Sequence, residues 1–199
     1  MKQAKTIACL LTACYLFASC AMSYRPINPP TLRYPQGDSD NFAYKYDVLS
    51  QTGNRKLAKK ETKTQIRIVA VRIYNNTTQT LKYGANYNIY SGDRVADILA
   101  PQEATANVKE IAPLYFLYLL LTPTTLTDNS GTSSNHYPIG VVLGPGISLL
   151  NFGIASGANS HFRKELEEYN IVGKEIKPGE TAYGLIAIQS PDFAPLTIK

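Results

Sequence analysis

Gln65-Ile66-Arg67-Ile68-Val69-Ala70-Val71-Arg72-Ile73-Tyr74 is the stretch on which the fold turns. Its β-branched side chains suit a pleated backbone and crowd a helix, so it predicts a strand, and Asn75-Asn76-Thr77-Thr78 follows as a turn. Upstream, Phe42, Tyr44, Tyr46 and Val48 alternate with Ala43, Lys45 and Asp47, the period of two of a half-buried strand. The polar residues from Ser50 to Lys63, including Gly53-Asn54-Arg55-Lys56, predict a turn or an exposed hairpin tip between the two. Downstream, Thr80 to Tyr90 and Arg94 to Leu99 read as strands split by Ser91-Gly92-Asp93. Glu175-Ile176, the turn Lys177-Pro178-Gly179-Glu180, Ala182 to Ile188 and Leu196 to Ile198 complete the set. Six or seven short strands with turn signals between them predict a mainly β domain over residues 42–199, an antiparallel β-sandwich.

Residues 108–170 interrupt that pattern, and they are too long and too apolar for a sandwich loop. Ile111 to Leu121 is eleven uncharged residues, and Thr122 to Asn135 reads as a flexible loop. Tyr137 to Ser160 is a second uncharged run, broken up by Pro138, Pro145 and five glycines. From Gly146 onward, Ile147, Leu150, Ile154, Ala158, Phe162, Leu166 and Tyr169 recur at steps of three and four, which predicts one apolar helix face ending near Asn170 and Gly173. The expectation is an apolar helical insertion whose Leu114, Phe116, Leu117, Leu120, Leu150, Phe152 and Ile154 form an interaction surface. The pairs Gly140 with Gly144 and Gly153 with Gly157 would let two helices approach closely. Packing against the sandwich or a partner protein is the main reading of the insertion, and penetration of a bilayer is the alternative.

The amino terminus reads Met1-Lys2-Gln3-Ala4-Lys5 and then an uncharged apolar run from Thr6 to Ser19, the pattern of a secretory signal over residues 1–19. Fourteen residues of helix reach only about 21 Å, short of a hydrocarbon core of roughly 30 Å. Ala18-Ser19-Cys20 resembles a lipobox, in which small residues precede a cysteine whose thiol takes the lipid. Phe17 departs from the Leu usual there. Leu11-Thr12-Ala13-Cys14 matches better letter by letter but leaves only about five apolar residues ahead of it, so Cys20 is the expected site of lipid attachment, including palmitate. Cys9, Cys14 and Cys20 all lie at or before the cut, which leaves the mature domain without a disulfide or thiolate metal site. Losing Lys2 and Lys5 lowers the formal charge from +5 to +3, a mild balance that points to neither nucleic acid nor a polybasic lipid surface. Residues 20–41, rich in Pro, Ser, Asn and Gly, read as a flexible tether, with an edge segment lying along the sheet as the alternative.

Catalytic signals are sparse. Gly37-Asp38-Ser39 spells the nucleophile block of a class of serine esterases, but no Asp stands three residues before His136 or His161. There is no Gly-x-Ser-x-Gly elbow, phosphate-binding glycine loop or His-Glu-x-x-His helix. No cofactor, metal site or catalytic residue is expected, and a serine hydrolase is the weakest reading. Tyr83, Asn86, Tyr87, Asn88 and Tyr90 suggest a glycan site, although Tyr83 and Tyr87 share parity and would pack inward. Arg55, Lys56, Lys59, Lys60 and Lys63 read as a solvated loop, with contact to anionic lipid heads or lipopolysaccharide as the sharper alternative.

The order of Val71-Arg72-Ile73-Tyr74-Asn75-Asn76-Thr77, a late Ala158-Asn159 helix and Ile176-Lys177-Pro178-Gly179-Glu180-Thr181-Ala182-Tyr183-Gly184-Leu185 resembles β-sandwich lipoproteins of Bacteroides-type bacteria over about residues 62–198. The resemblance implies an immunoglobulin-like sandwich with a helical excursion and brings no activity with it. In related lipoproteins an acidic cluster after the acylated cysteine directs display on the cell surface. Ala21-Met22-Ser23-Tyr24-Arg25 has none, which favours the outer membrane's periplasmic face. The expectation is therefore a non-enzymatic, membrane-anchored protein of the cell envelope with a structural or protein-interaction role, its partner an envelope protein or a second copy of itself.

Overall fold

The computed structural model describes residues 21–128 and 135–199. In chain order they form β1 (Gln36–Ser39), β2 (Phe42–Lys45), α1 (Val48–Gln51), α2 (Arg55–Thr64), β3 (Ile66–Tyr74), β4 (Leu81–Lys82), β5 (Ile89–Ser91), β6 (Arg94–Val95) and β7 (Ile98–Leu99). There follow α3 (Pro101–Val108), a 3-10 helix (Ala112–Leu121), β8 (Leu126–Asp128), β9 (Asn135–Tyr137), α4 (Gly140–Glu168), β10 (Glu175–Ile176), β11 (Thr181–Gln189) and β12 (Leu196–Ile198). Two compact units emerge, residues 21–23 with Ile111–Ala158, and Tyr24–Glu110 with Asn159–Lys199.

The larger unit is built on an antiparallel five-stranded sheet in the order β1-β2-β3-β11-β7. β3 and β11 pair over their full nine residues, from Ile66 opposite Gln189 to Tyr74 opposite Thr181. The deciding stretch has no clean alternation because both of its faces are covered. Val69, Val71 and Ile73 join Phe42, Tyr44, Ile186 and Ile188 in one core, and Ile66, Ile68 and Ala70 join Leu185 and Ala187 in the other. Ile89 from the small sheet β12-β5-β6 and Ile176 from the pair β10-β4 close the first core. Val48, Leu49, Leu57, Ala104, Val108, Phe162 and Leu166 close the second from the helices. The architecture is thus mixed, antiparallel sheets with a helical layer, and "mainly β" describes only one side of it.

The residues from Ser50 to Lys63 correct the reading of a polar turn. They hold the end of α1 and most of α2, with Leu57 and Glu61 buried. One leucine and one inward carboxylate are too thin an apolar stripe to register as periodicity. Burial pushes the Glu61 carboxyl up to about 7, partly offset by the Ile68 N–H that donates to it at 2.7 Å and by Arg67.

Residues 24–34 likewise pack where composition suggested a tether. The Asn54 side chain accepts from the Arg25 N–H at 2.8 Å and donates to the Arg25 carbonyl at 2.7 Å, standing in for a neighbouring strand. Glu165 on α4 accepts from the Tyr24 hydroxyl and from the N–H groups of Ile27 and Asn28. Ile27 is buried, and Tyr24, Leu32 and Tyr34 pack on the same core. Burial and then the Glu165 contact push the Tyr24 hydroxyl well above its ordinary range. Proline, asparagine and glycine content said nothing of these partners, all of which lie far away in sequence.

Gly184 marks a close approach. A Cβ there would lie 2.1 Å from Ile171 Cγ2, where the chain leaving α4 passes the edge of β11 and the Tyr169 carbonyl accepts from the Leu185 N–H at 2.8 Å.

Candidate functional site

The smaller unit carries the unusual chemistry. From Ile111 to Ala158 the only charged residue is Asp128. Its scaffold is an antiparallel pair made by the 3-10 helix and the first part of α4, joined through the hairpin β8–β9. Gly140 and Gly144 make the pairing close. A Cβ on Gly140 would meet the Leu121 carbonyl oxygen at 2.1 Å, and one on Gly144 would meet Thr122 Oγ1 at 2.6 Å. The first glycine pair therefore does what its spacing suggests, whereas Gly153 and Gly157 have nothing within 4 Å of a Cβ. Ser148 donates to the Tyr115 carbonyl at 3.0 Å, and Phe116 stacks on Phe152 with centroids 5.0 Å apart.

α4 runs unbroken through Pro145, against the expectation that prolines and glycines break up the run. Pro145 lies in the second turn, so the bond it forfeits is the one to the Val141 carbonyl, at the exposed start of the helix. The helix is long and apolar enough to cross a membrane by length and composition. At its far end Asn159 accepts from the Glu110 N–H at 2.8 Å and donates to the Glu110 carbonyl at 2.9 Å, tying together the two points where the chain leaves the larger unit.

The outer surface of this unit is greasy. Leu120 is 75 % exposed, Val142 73 %, Leu149 63 % and Leu117 62 %; Leu114, Phe116, Leu150, Ile111, Leu119 and Val141 are exposed as well. On α4, Val141, Val142, Gly146, Leu149, Leu150 and Gly153 are exposed, while Gly144, Ile147, Ser148, Asn151, Ala155 and Ala158 are buried. At 3.6 residues per turn those two sets occupy opposite faces. Of the seven residues proposed from sequence, Leu114, Phe116, Leu117, Leu120 and Leu150 lie on the exposed surface. Phe152 and Ile154 are half-buried and pack on the small core of Ala21, Ala112 and Ala155. Sequence reasoning missed the doublet Val141-Val142 and Leu149, because a stripe counted at steps of three and four picks the inward row of a helix.

One contact connects this unit to the amino terminus. Ala21 is buried in the unit's core, and its N–H donates to Asn151 Oδ1 at 2.8 Å while Asn151 Nδ2 donates to the Ile147 carbonyl. Cys20 itself lies outside the described residues, one Cα step of about 3.8 Å from that contact.

The other sequence candidates are not brought together. Gly37 to Ser39 form the edge strand β1, whose neighbouring cleft is lined by Tyr34, Pro35, Gln36, Gly37, Asp40, Ala43 and Arg72. His161 lines a different cavity of about 450 Å³ with Tyr24, Asn28, Lys164 and Glu165. His136 stands on β9 with Nδ1 3.1 Å from Thr127 Oγ1. Tyr83 and Tyr87 pack edge to face against the core, so they are not an open aromatic platform. Among the described residues no group of three or more His, Cys, Asp or Glu could hold a metal. Comparison with protein-family models, with curated proteins and with solved structures finds no match to this chain.

Proposed function

We propose that this chain is a non-enzymatic, lipid-anchored protein of the cell envelope whose apolar helical unit seats in the lipid surface beside its anchor. The observation that carries the reading is the Ala21 contact with Asn151. A diacylglyceryl group on Cys20 would follow directly on a residue held in the unit that carries the exposed leucines and valines, so lipid chains and greasy side chains would reach the same bilayer. Full transfer of Leu114, Leu117, Leu120, Leu149 and Leu150 to hydrocarbon is worth up to about 10 kcal/mol, comparable with one acyl chain at about 0.8 kcal/mol per CH2. The lack of acidic residues from Ala21 to Arg25 favours the periplasmic face of an outer membrane. Stacking of the five-stranded sheet on β12-β5-β6 supports an immunoglobulin-like origin for the larger unit.

The test uses a Cys20→Ala protein exported by a cleavable signal of the ordinary secreted type. It is expected to remain in the membrane fraction after carbonate washing, and to be released when Leu117, Leu120, Leu149 and Leu150 are all changed to Ser. Release of the unsubstituted Cys20→Ala protein would refute the seating. Failure of the native chain to incorporate radiolabelled palmitate would refute the anchor. The second reading, an envelope protein or a second copy on the same face, is favoured by Gly146 and Gly153, which leave room for another backbone beside Leu149 and Leu150. It predicts a discrete cross-linked species from detergent extracts that the four serines abolish.

A further inference from the structure

The positive charge of this protein is concentrated in one place. The chain beyond the proposed cut has eighteen basic and fifteen acidic residues; α2 alone holds five of the basic ones and a single acid, which leaves thirteen against fourteen elsewhere. All of the net positive charge is therefore carried by ten residues. At 3.6 residues per turn, Arg55, Lys56, Lys59, Lys60 and Lys63 fall within an arc of about 140°. The acid, Glu61, is on the opposite, buried side with Leu57. Lys56 pairs with Glu110 at 3.3 Å, while Arg55, Lys59, Lys60 and Lys63 make no ion pair among the described residues. Like charges at spacings of four destabilise a helix, so the spacing Arg55, Lys59, Lys63 is unfavourable until an anion covers it.

The start of α2 is also leashed to the lipid. Asn54, the residue before α2, is fixed to the Arg25 backbone by two hydrogen bonds. Arg25 is five residues after Cys20, at most about 18 Å of chain. Whatever the two units do, this basic arc stays within a short reach of the anchor. Its cations are lysines on flexible stems around one arginine, which suits a fluid array of phosphates better than a fixed carboxylate.

We propose that the outer arc of α2 is a docking surface for anionic phospholipid headgroups, which holds the larger unit down on the membrane that Cys20 enters. The inference rests on the lipid-anchored reading and adds which face of the larger unit meets the bilayer. The mild overall charge had argued against a polybasic lipid surface; the placement of that charge on one leashed helix reverses the argument.

The experiment uses the full, acylated chain carrying Thr62→Cys, an exposed position on α2 and the only free thiol of the mature protein, labelled with a fluorophore. The chain is reconstituted into phosphatidylcholine vesicles with or without a minority of phosphatidylglycerol and a headgroup-bound quencher. Expected is quenching that appears with phosphatidylglycerol and is lost in molar salt, where the Debye length falls from about 8 Å to about 3 Å. At about fivefold per unit of charge, Lys59→Glu with Lys63→Glu, which shifts the arc by four charges, should lower the ratio of apposed to detached protein by on the order of several hundred-fold. Lys59→Arg with Lys63→Arg should leave it unchanged, and the neutral Lys59→Gln with Lys63→Gln should lie between without touching the buried side of the helix. Quenching that ignores phosphatidylglycerol, salt or charge overturns the inference, because α2 would then approach the vesicle without its cations. Failure of the parent chain to float with vesicles sinks the anchored reading instead, and this inference with it.

Discussion

Glu165 is the residue on which the amino-terminal segment depends, and replacing it tests the account of that segment directly. Its carboxylate accepts from the Tyr24 hydroxyl, the Ile27 N–H at 2.9 Å and the Asn28 N–H at 2.8 Å. In Glu165→Ala, water can reach Tyr24 and Asn28, both of which are partly exposed, but Ile27 is 2 % exposed and its N–H would be left without a partner. Stranding a buried donor costs about 1–3 kcal/mol, and losing two further charge-assisted bonds brings the total to about 3 kcal/mol or more. Burial of Ile27, Tyr24, Leu32 and Tyr34 and the Asn54 bonds to Arg25 remain, so the segment should open locally on the order of 100-fold more often while the domain stays folded. Trypsin reads that event. Arg33 is exposed but ordered, and Arg25 is protected by Pro26. Cleavage after Arg33 should accelerate by on the order of 100-fold in Glu165→Ala, seen on gels as loss of the acylated peptide from the chain, while near-ultraviolet circular dichroism of the rest is kept. Glu165→Gln, with one acceptor oxygen, should fall between. Cleavage at the parent rate in both variants would refute the claim that these bonds hold residues 24–34 down.

Other substitutions probe the two units separately. Gly184→Ala forces a methyl into Ile171 Cγ2 and should destabilise by at least about 1–3 kcal/mol, seen as an earlier denaturant midpoint. Within α4 the same change should have opposite signs: Gly140→Ala meets the Leu121 carbonyl and should loosen the hairpin, whereas Gly157→Ala enters open space and should stabilise by about 0.5–1 kcal/mol, both read from thermal midpoints. Glu61 has a folded pKa of about 7, above its ordinary 4.5, so its contribution to stability is complete below about pH 4.5 and lost as pH rises through 7. Glu61→Gln should therefore match the parent near pH 5 and be more stable by about 2–3 kcal/mol near pH 8 in urea titrations. Equal pH profiles would refute the assignment.

What the sequence could disclose depended on how much of each element's environment was local. β3 and β11 were legible because nine residues of β-branched and small apolar side chains suit a sheet regardless of what covers it. That α2 covers one face beside the expected helix of Phe162 and Leu166 was not, since α2 contributes a single leucine and hides a glutamate, and polar composition outweighed both. The exposed leucines of the 3-10 helix were legible as an apolar run, because no burial pattern was needed to see them. The seating of Ala21 against Asn151, and of Arg25 against Asn54, was not, because each joins residues whose separation in the chain leaves no periodic trace. Phe152 and Ile154 were assigned outward for a related reason: hydrophobicity alone does not say which side of an all-apolar helix finds a neighbour.

Those long-range contacts change what the anchor can do. A free tether over residues 20–41 would let the domain wander at a root-mean-square distance of about 25 Å, and far beyond that when extended. With Arg25 held by Asn54 and the next residues by Glu165, only residues 20–23 are left to act as linker, at most about 14 Å of chain. A weak contact between lysines and headgroups gains little when the surface roams, because its effective concentration falls with roughly the cube of the accessible radius. It gains much when the leash is short. The ordering of residues 24–34 and the basic face of α2 therefore belong to one device, and Glu165→Ala should weaken the phosphatidylglycerol-dependent quenching at Thr62→Cys although it touches no cation. Unchanged quenching in that variant, with trypsin confirming that the segment is free, would show that the leash contributes nothing and that α2 binds lipid by its charge alone.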